Sequence, residues 1–224
     1  MKLPITQRLI TVSEMVEKTN ILCDIGCDHG YLPIKLLMEN KISFAYGCDV
    51  NDGPLKAAKR NIERYFLSDR IELRNGDGLK AVSDVEFDVV TICGMGGRLI
   101  SKILNDGRYV INKDIKRQII LQPMTEIQIL REYLYKNGFC IKKEELARED
   151  NRFYNIIEIK KAENQEISLL DMYTGAGFIN KENPNLHEYL EKQHRKFTKM
   201  YYAKKVYEDV KWLEKIIFEI KNLI

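Results

Sequence analysis

The stretch Ile21-Leu-Cys-Asp-Ile-Gly-Cys-Asp-His-Gly30 decides how this chain folds, because it joins a short apolar segment to a glycine turn. Its first part, Ile21–Asp24, has the length and apolar character of a buried strand. Gly26 and Gly30 follow, just before the helix-like segment Tyr31–Glu39. Glycines at such a turn let a ligand approach the backbone beside a helix N-terminus. The stretch therefore predicts a strand–turn–helix unit that binds a nucleotide-like ligand.

Strand-like and helix-like segments alternate along the rest of the chain. The other strand-like segments are Ile42–Asp49, Arg70–Arg74, Phe87–Cys93, Gln118–Gln122, Phe139–Leu146 and Tyr154–Lys160. The other helix-like segments are residues 5–18, a helix capped by Asp52, Arg98–Leu104, and Glu126–Lys136, which Asn137-Gly138 ends. The last two strands have no helix between them, so we expect a parallel sheet finished by an antiparallel strand. The fold class is α/β, with a doubly wound sheet.

The composition changes after Lys160. From Leu186 to Ile224 there is no Gly or Pro, and apolar residues recur at a three–four spacing. A single helix could not bury this stripe alone, so we expect a helical hairpin that folds back near Tyr202–Lys205. We divide the chain into a sheet domain, residues 1–160, and a C-terminal helical or coiled-coil appendage, residues 161–224.

The overall composition is that of a soluble globular protein. Of the 224 residues, 45% are hydrophobic and 31% are charged. No apolar run approaches the ~20 residues that cross a bilayer, and the first residues lack a secretion signal, so we expect a cytoplasmic protein without membrane contact. The five cysteines form no Cys-x-x-Cys pair, so we expect reduced, buried thiols and no metal site.

The basic residues are unevenly distributed, although the net charge is only +3. The segment from Lys192 to Lys205 contains six Lys or Arg residues, three interleaved aromatic residues and no acid. Such a segment is either a solvated helix face or a contact for a polyanion. The candidates for a nucleic-acid contact are Lys192, Arg195, Lys196 and Lys199.

The acids near the glycine turn discriminate between two nucleotide classes. Asp49 ends the second strand, 19 residues after Gly30, where a carboxylate can accept from both ribose hydroxyls of an adenosine. A dinucleotide site needs a middle glycine where Asp28 stands, and a carboxylate there repels a pyrophosphate. The ammonium and sulfonium groups of S-adenosylmethionine attract the same carboxylate. The turn therefore favours S-adenosylmethionine over a nicotinamide dinucleotide.

Two later strands also end in glycine turns. Asn75-Gly-Asp-Gly78 follows the third strand, and Asp77 there can accept from the amino group of adenine. Cys93-Gly-Met-Gly-Gly97 follows the fourth strand and predicts bare backbone beside the reacting atoms. Turn geometry alone recruits glycine, but three such turns at successive strand ends favour a cofactor site.

The motifs resemble those of a known family. Asp24-Ile-Gly-Cys-Asp-His-Gly-Tyr-Leu-Pro33, Gly76-Asp-Gly-Leu79, Thr91-Ile-Cys-Gly-Met-Gly-Gly97 and Ile120-Leu-Gln-Pro123 are similar to the signature blocks of the bacterial tRNA (adenine(22)-N1)-methyltransferases. The resemblance runs from about Gln7 to Ile159. It implies a class I methyltransferase domain with a Rossmann-like sheet, a C-terminal coiled-coil appendage, and methyl transfer from S-adenosylmethionine to N1 of adenosine 22 in tRNA. No obligate protein partner is evident.

The resemblance also implies roles for individual residues. In the cofactor site, Asp24 and Gly26 line the methionine end, Asp49 holds the ribose, Asp77 and Gly78 hold the adenine, and Gly94 and Met95 offer backbone beside the sulfonium. Gly30 belongs to the same loop, although relatives commonly have Ala there. Relatives often have Asn where this chain has Met124, which puts a polar substrate role for that position in doubt.

The remaining candidates concern the substrate. Methylation leaves a cationic ring, so Asp28 is the candidate for stabilising that charge and His29 the candidate proton acceptor or orienting group. The alternatives are a helix-capping Asp28 and a loop histidine bonded to backbone. Arg8 is either a phosphate contact near the cleft or a surface ion pair. Gln122 and Pro123 lie where the acceptor base should enter.

Other functions fit parts of the pattern. A methyltransferase acting on a small molecule or a protein would keep the cofactor site, and a non-catalytic RNA-binding protein would keep only the fold. Cys93 ends the fourth strand, where a nucleophilic cysteine would indicate pyrimidine C5 chemistry, but no paired base or adjacent proline supports that function. The absence of an Asn/Asp-Pro-Pro-Tyr block favours a ring nitrogen over an exocyclic amine as methyl acceptor.

Overall fold

A single sheet forms the centre of the protein. The computed structural model describes residues 3–112, 117–162, 166–206 and 209–224, and in these residues the sheet has seven strands. The strands are β1 (Ile21–Ile25), β2 (Phe44–Asp49), β3 (Ile71–Asn75), β4 (Val89–Gly96), β5 (Gln118–Thr125), β6 (Phe139–Glu149) and β7 (Arg152–Lys161). Each lies where the sequence predicts one, within a few residues at the ends.

Helices connect the strands and form the C-terminal part. They are α1 (Gln7–Met15), α2 (Tyr31–Met38), α3 (Asp52–Arg64), α4 (Gly97–Asp106), α5 (Arg108–Ile111), α6 (Ile127–Lys136), α7 (Leu169–Thr174), α8 (Leu186–Lys204) and α9 (Lys211–Lys221). A short 3₁₀ helix covers Gly78–Val82. In the described part of the chain, none of these helices has both the length and the apolar character needed to cross a bilayer.

The helix ends follow local chemistry, with one difference from the sequence-based expectation. α6 ends before Asn137-Gly138, and Gly138 adopts the left-handed φ of 76° that favours glycine. The predicted capping role of Asp52 is wrong. Asn51 is the N-cap of α3, and Asp52 is the first helical residue. The carboxylate of Asp52 instead accepts a hydrogen bond of 2.9 Å from the side-chain amide of Asn75.

The strand order is β3-β2-β1-β4-β5-β7-β6. β3, β2, β1, β4 and β5 are mutually parallel, whereas β7 is antiparallel to both of its neighbours. The antiparallel strand is confirmed, but it does not finish the sheet as predicted. β6 is the edge strand, and the β6–β7 hairpin inserts β7 between β5 and β6. This order differs from the 3-2-1-4-5-6 order of the dinucleotide-binding fold.

The sheet is buried on both faces because helices cover each side. Consecutive β1 residues alternate between two apolar clusters, with Leu22 in one and Cys23 in the other. The five cysteines are buried and form no disulfide, in agreement with the prediction of reduced thiols. The carboxyl ends of β1, β2 and β4 meet at one edge of the sheet, which is where open α/β sheets bind ligands.

The C-terminal helices pack on the β6–β7 hairpin. A third apolar cluster joins Leu146 and Phe153 of the hairpin with Phe197 of α8 and Leu213 of α9. α8 ends at Lys204 and α9 packs against it, which agrees with helices that fold back near Tyr202–Lys205. Tyr207, one of the residues of the recurring apolar pattern between Leu186 and Ile224, lies outside the described residues. The division of the chain at residues 160 and 161 stays a prediction.

A buried ion pair links the sheet to this C-terminal part. The guanidinium of Arg131 in α6 donates two hydrogen bonds, of 2.9 and 2.7 Å, to the carboxylate of Glu144 in β6. Both side chains are fully buried. Asn155 of β7 donates to the same carboxylate at 3.1 Å, and Arg131 donates to the carbonyl oxygen of Met172 in α7 at 3.2 Å.

Replacing Glu144 with Ala should strongly destabilise the protein. The substitution leaves the Arg131 guanidinium buried without its counter-charge, which typically costs about 3–5 kcal/mol. Urea unfolding of the two proteins measures the change. The control is Glu132→Ala, which breaks the exposed Lys136–Glu132 pair and should change stability by at most about 0.5 kcal/mol. Equal effects of the two substitutions would contradict the structural role of Glu144.

Candidate active site

A cavity of about 330 Å³ opens where β1, β2 and β4 end. Predicted site residues that line it are Arg8, Asp24, Gly26, Asp28, His29, Asp49, Gly94 and Met95. Predicted site residues that do not line it are Gly30, Asp77, Gly78, Gln122, Pro123, Lys192, Arg195, Lys196 and Lys199. The cavity is also lined by Leu9, Tyr31, Asn51 and Pro54, which the motifs do not single out. Asn51 follows Asp49 on the same turn, and Tyr31 belongs to the Asp-His-Gly-Tyr block. Their closeness to these motifs in the sequence could have identified both as lining residues.

The Asp24 carboxylate lies at the bottom of the cavity and is almost completely buried, at 4% exposure. One of its oxygens accepts a 2.7 Å hydrogen bond from the Thr91 hydroxyl of the adjacent strand β4. Burial raises the pKa of Asp24, the Thr91 hydrogen bond opposes this rise, and the charge of Asp49 adds to it, so that the pKa lies at about 6. A desolvated carboxylate of this kind gains free energy when a cation binds beside it.

Gly26 brings the backbone close to the ligand space. Its φ of 76° is in the left-handed region, and its N–H donates to the carbonyl oxygen of Cys48 in β2 at 2.8 Å. The side-chain methyl of Met95 occupies the position that a Cβ at residue 26 would take. A larger residue than glycine would therefore strain the backbone and displace Met95.

Asp28 and His29 lie at the mouth of the cavity. Their side chains are 67% and 51% exposed, and Nε2 of His29 lies 3.7 Å from Oδ1 of Asp28. The His29 ring stacks on Tyr31 with 5.6 Å between ring centroids. Asp28 does not cap α2, since the N-cap of that helix is Gly30 and lacks a side-chain capping bond. The helix-capping alternative for Asp28 is therefore wrong, and Asp28 lines the cavity.

The Gln122 side chain lies behind the cavity and connects two of its lining residues, Arg8 and Gly94. Its side-chain oxygen accepts hydrogen bonds from Nη1 of Arg8 at 2.6 Å and from the backbone N–H of Gly94 at 3.1 Å. Its amide nitrogen donates to the carbonyl oxygen of Pro123 at 2.9 Å. The Gln122 side chain is fully buried, and these bonds occupy it. Pro123 is buried beside it. The predicted place of Gln122 and Pro123 where the acceptor base enters stays a prediction.

Arg8 is part of the cavity rather than a surface ion pair. Its guanidinium lies 5.9 Å from the ring centroid of Tyr154, in addition to its bond with Gln122. The backbone N–H of Arg8, and not its side chain, donates to the carboxylate of Glu149 at 2.6 Å. The Arg8 side chain forms no ion pair with any residue that the structure describes, which argues against the surface-ion-pair alternative. The predicted contact of Arg8 with phosphate stays a prediction.

Asp77 and Gly78 lie beyond the cavity on the side of the edge strand β3. The Asp77 side chain is 61% exposed and lies 3.7 Å from the amine of Lys80. A Cβ at Gly78 would contact Ile103, so the glycine there is explained by packing as well as by its φ of 58°. The predicted role of this turn in adenine binding stays a prediction.

Cys93 is not placed to act as a nucleophile. Its thiol is buried at the end of β4, and burial raises its pKa far above the ordinary value, with the nearby Asp24 charge adding to the rise. The thiolate is the reactive form of cysteine, so this environment suppresses it. The buried thiol therefore argues against methyl transfer to pyrimidine C5, as the sequence also does.

The cavity suits S-adenosylmethionine. The desolvated Asp24 complements an ammonium group, Asp49 stands at the second strand end for the ribose hydroxyls, and Gly26 and Gly94 leave the backbone accessible. Asp28 occupies the place where a pyrophosphate-binding loop needs glycine. Strand order and site together define a class I S-adenosylmethionine-dependent methyltransferase.

Comparisons with known proteins agree with this class and narrow it. A family model described as a methyltransferase domain matches residues 5–157. The chain is 34% identical to the tRNA (adenine(22)-N(1))-methyltransferase of Bacillus subtilis over 80% of this chain and 74% of that protein. The crystal structure of the B. subtilis m1A22 tRNA methyltransferase matches with a TM-score of 0.78 and 30% identity, covering 99% of this chain and 96% of that one.

A second solved structure comes from M. capricolum and is a complex with S-adenosylhomocysteine. It matches with a TM-score of 0.73 and 31% identity over 98% of this chain and 94% of that one. The chain therefore belongs to the tRNA (adenine(22)-N1)-methyltransferase family, as its motifs predict. Its cofactor is S-adenosyl-L-methionine.

The raised pKa of Asp24 should make cofactor binding depend on pH. An ammonium group binds the ionised carboxylate, which becomes protonated as the pH falls through about 6. Adenosylhomocysteine keeps the ammonium group and can serve as the ligand. We expect its affinity to be constant above about pH 7. Below about pH 6 the affinity should fall by up to about tenfold for each pH unit. Calorimetric titration from pH 5 to 8 measures this.

Asp24→Asn is the control for that pH dependence. It should bind adenosylhomocysteine weakly and remove the pH dependence. Because the pKa of Asp24 in the folded state exceeds its ordinary value of 3.8, its ionisation destabilises the ligand-free protein as the pH rises through this range. The variant should therefore be more stable than the wild type at pH 8, without this gain at pH 3.5. Constant wild-type affinity between pH 5 and 8 would contradict the role of Asp24.

Proposed function

We propose that this protein methylates N1 of adenosine 22 in tRNA with S-adenosyl-L-methionine. The observation that supports this most is the acid-lined cavity, where the buried Asp24 complements the cofactor and the exposed Asp28 stands at the mouth. The family of the chain supplies the nucleotide and its position, since its B. subtilis member is named for adenine 22 of tRNA. We also propose that the protein works in the cytoplasm.

The reaction makes few demands on proton transfer. S-adenosylmethionine supplies an electrophilic methyl group on a sulfonium. The lone pair of adenine N1 forms the new bond to the methyl carbon while the bond to sulfur breaks, so positive charge moves from sulfur to the adenine ring. Because N1 is occupied in paired or stacked adenosine, the enzyme has to expose the base, at a cost of a few kcal/mol. Alignment of the reacting atoms is then the main requirement.

The residues of the cavity fit these tasks. Gly94 is held by the Gln122 side chain at the strand end where methyl transfer takes place. Asp28 has a carboxylate at the mouth, where it stabilises the positive charge that develops on the ring. His29 stacks on Tyr31 and is suited to orient the incoming base rather than to accept a proton, because N1 carries no proton before attack.

The C-terminal part extends the contact with tRNA in this proposal. Lys192, Arg195, Lys196 and Lys199 recur on one side of α8 with the spacing of a helix face. Arg195 is 3.6 Å from Glu191, and Lys192 donates to the backbone carbonyl of Asn151, so part of this charge already has partners. We propose that residues 161–224 form the appendage and that its basic face binds phosphates.

Modified-nucleoside mass spectrometry tests the function. Unmodified tRNA transcripts with adenosine at position 22 are incubated with the protein and labelled S-adenosylmethionine, then digested. We expect labelled 1-methyladenosine, and we expect it to disappear when adenosine 22 is replaced by guanosine. Labelling of a metabolite extract with no labelling of tRNA would indicate a small-molecule methyltransferase instead.

Asp28→Asn should slow methyl transfer without weakening cofactor binding. The amide keeps the size of the side chain but removes the charge that stabilises the cationic product, so we expect kcat to fall about 10- to 100-fold. Single-turnover kinetics with tRNA measures the step, and calorimetry with adenosylhomocysteine checks binding. Asp69→Asn, an exposed carboxylate on the loop before β3, is the matched control. Full turnover of Asp28→Asn with an unchanged pH profile would end this assignment.

A further inference from the structure

A groove separates α8 from the sheet domain and lies outside the cofactor cavity. Two overlapping cavities of about 420 and 390 Å³ form it. Its walls are the connection between β5 and α6, the start of β7, and one face of α8. The α8 groove is defined here by Met124, Phe153, Tyr154, Lys192, Gln193 and Lys196.

The groove begins next to the cofactor cavity. Gln122, which holds Gly94, is followed directly by Pro123 and Met124 in the groove wall. The amide nitrogen of Gln122 also lies 3.7 Å from the sulfur of Met124. On the other wall, Tyr154 lines the groove while its ring faces the guanidinium of Arg8 in the cofactor cavity. A nucleotide chain that enters the cofactor cavity therefore has this groove within reach.

The groove combines an apolar wall with positive charge. Met124, at the end of β5, is 39% exposed and contributes apolar surface to the groove wall. The amine of Lys192 lies 5.4 Å from the ring centroid of Phe153, and Lys196 lines both cavities. Glu126, the acid on this wall, is neutralised by Arg98 at 2.6 Å. Such a groove is suited to an unstacked nucleotide. Its base can lie against the apolar and aromatic side chains, and its phosphate can contact the amines.

Gln193 adds an unused hydrogen-bond acceptor. Its side-chain oxygen is buried and accepts no hydrogen bond from any of the described residues. Gln193 lines both cavities of the groove. A buried acceptor without a donor is destabilising, so a ligand that supplies a donor to this oxygen gains binding free energy. The exocyclic amino groups of adenine, cytosine and guanine are such donors.

We propose that the α8 groove binds an unstacked nucleotide of the tRNA that neighbours the methylated adenosine. The base lies against Met124, Phe153 and Tyr154 and donates to the side-chain oxygen of Gln193, and its phosphate contacts Lys192 and Lys196. This proposal rests on the proposed tRNA substrate, and it assigns recognition of the sequence next to the target to residues outside the cofactor cavity.

Two substitutions test the groove with the full-length protein. Gln193→Leu keeps the volume but removes the acceptor, and Met124→Ala removes apolar contact at an exposed position. We expect each to raise both the KM and the dissociation constant for tRNA about five- to thirtyfold. Adenosylhomocysteine affinity should stay within about twofold, and Gln193→Leu should not lower the unfolding midpoint. A third variant, Lys192→Gln, removes a positive charge from the groove. Its control for lost charge is Lys215→Gln, because Lys215 is an exposed lysine of α9 outside the groove.

The outcomes separate this proposal from the proposed function. If the wild type methylates tRNA and both groove variants keep its KM and tRNA affinity, the groove does not bind the substrate and the proposal is overturned. If the wild type binds tRNA through the groove but forms no 1-methyladenosine, the proposed reaction fails while the groove stands. Replacing each nucleotide next to adenosine 22 in turn should reproduce the defect of Gln193→Leu at one position, and an equal response at every position would also overturn the proposal.

Discussion

The desolvated carboxylate of Asp24 is the constraint on which the rest of this structure depends. A carboxylate at 4% exposure destabilises the ligand-free fold unless a cation or several donors compensate, and here one hydroxyl, that of Thr91, donates to it. The sheet places this group where a ligand with an ammonium group can reach it. The acid is thus unfavourable for folding and favourable for binding, which is typical of a functional site.

The sequence predicts most of this fold because strand length, apolar character and glycine turns are local signals. Each of the strands and the stop of α6 at Asn137-Gly138 follow from a few neighbouring residues. The position of β7 between β5 and β6 does not follow from local signals. It depends on where the connection through α6 places β6 in the sheet. Asp52 shows the same limit locally, since Asn75 competes for its carboxylate from another strand.

The cofactor site was predictable for a geometric reason and only in part. Parallel strands bring their carboxyl ends to one edge, so acids at the ends of β1 and β2 converge in any such sheet. The direction of a side chain beyond the strand end is not encoded in the motif, and Asp77 therefore lies beyond the cavity with Lys80. The sequence singles out Lys192 and Lys196 of the α8 groove but not the groove itself, because Met124 and Gln193 are distant in sequence and meet through tertiary packing.

Buried polar contacts couple the groove to the reacting centre. Asn155 lines the groove and donates to Glu144, whose partner Arg131 also binds the backbone of α7. The C-terminal helices therefore dock on the sheet through directional bonds, which fix their position more narrowly than apolar contact alone. At the other wall, Gln122 holds Gly94 and leads directly into Met124. Gln122 and Met124 belong to the same strand, β5, so a short stretch of backbone joins the groove wall to the Gly94 turn of the cofactor cavity.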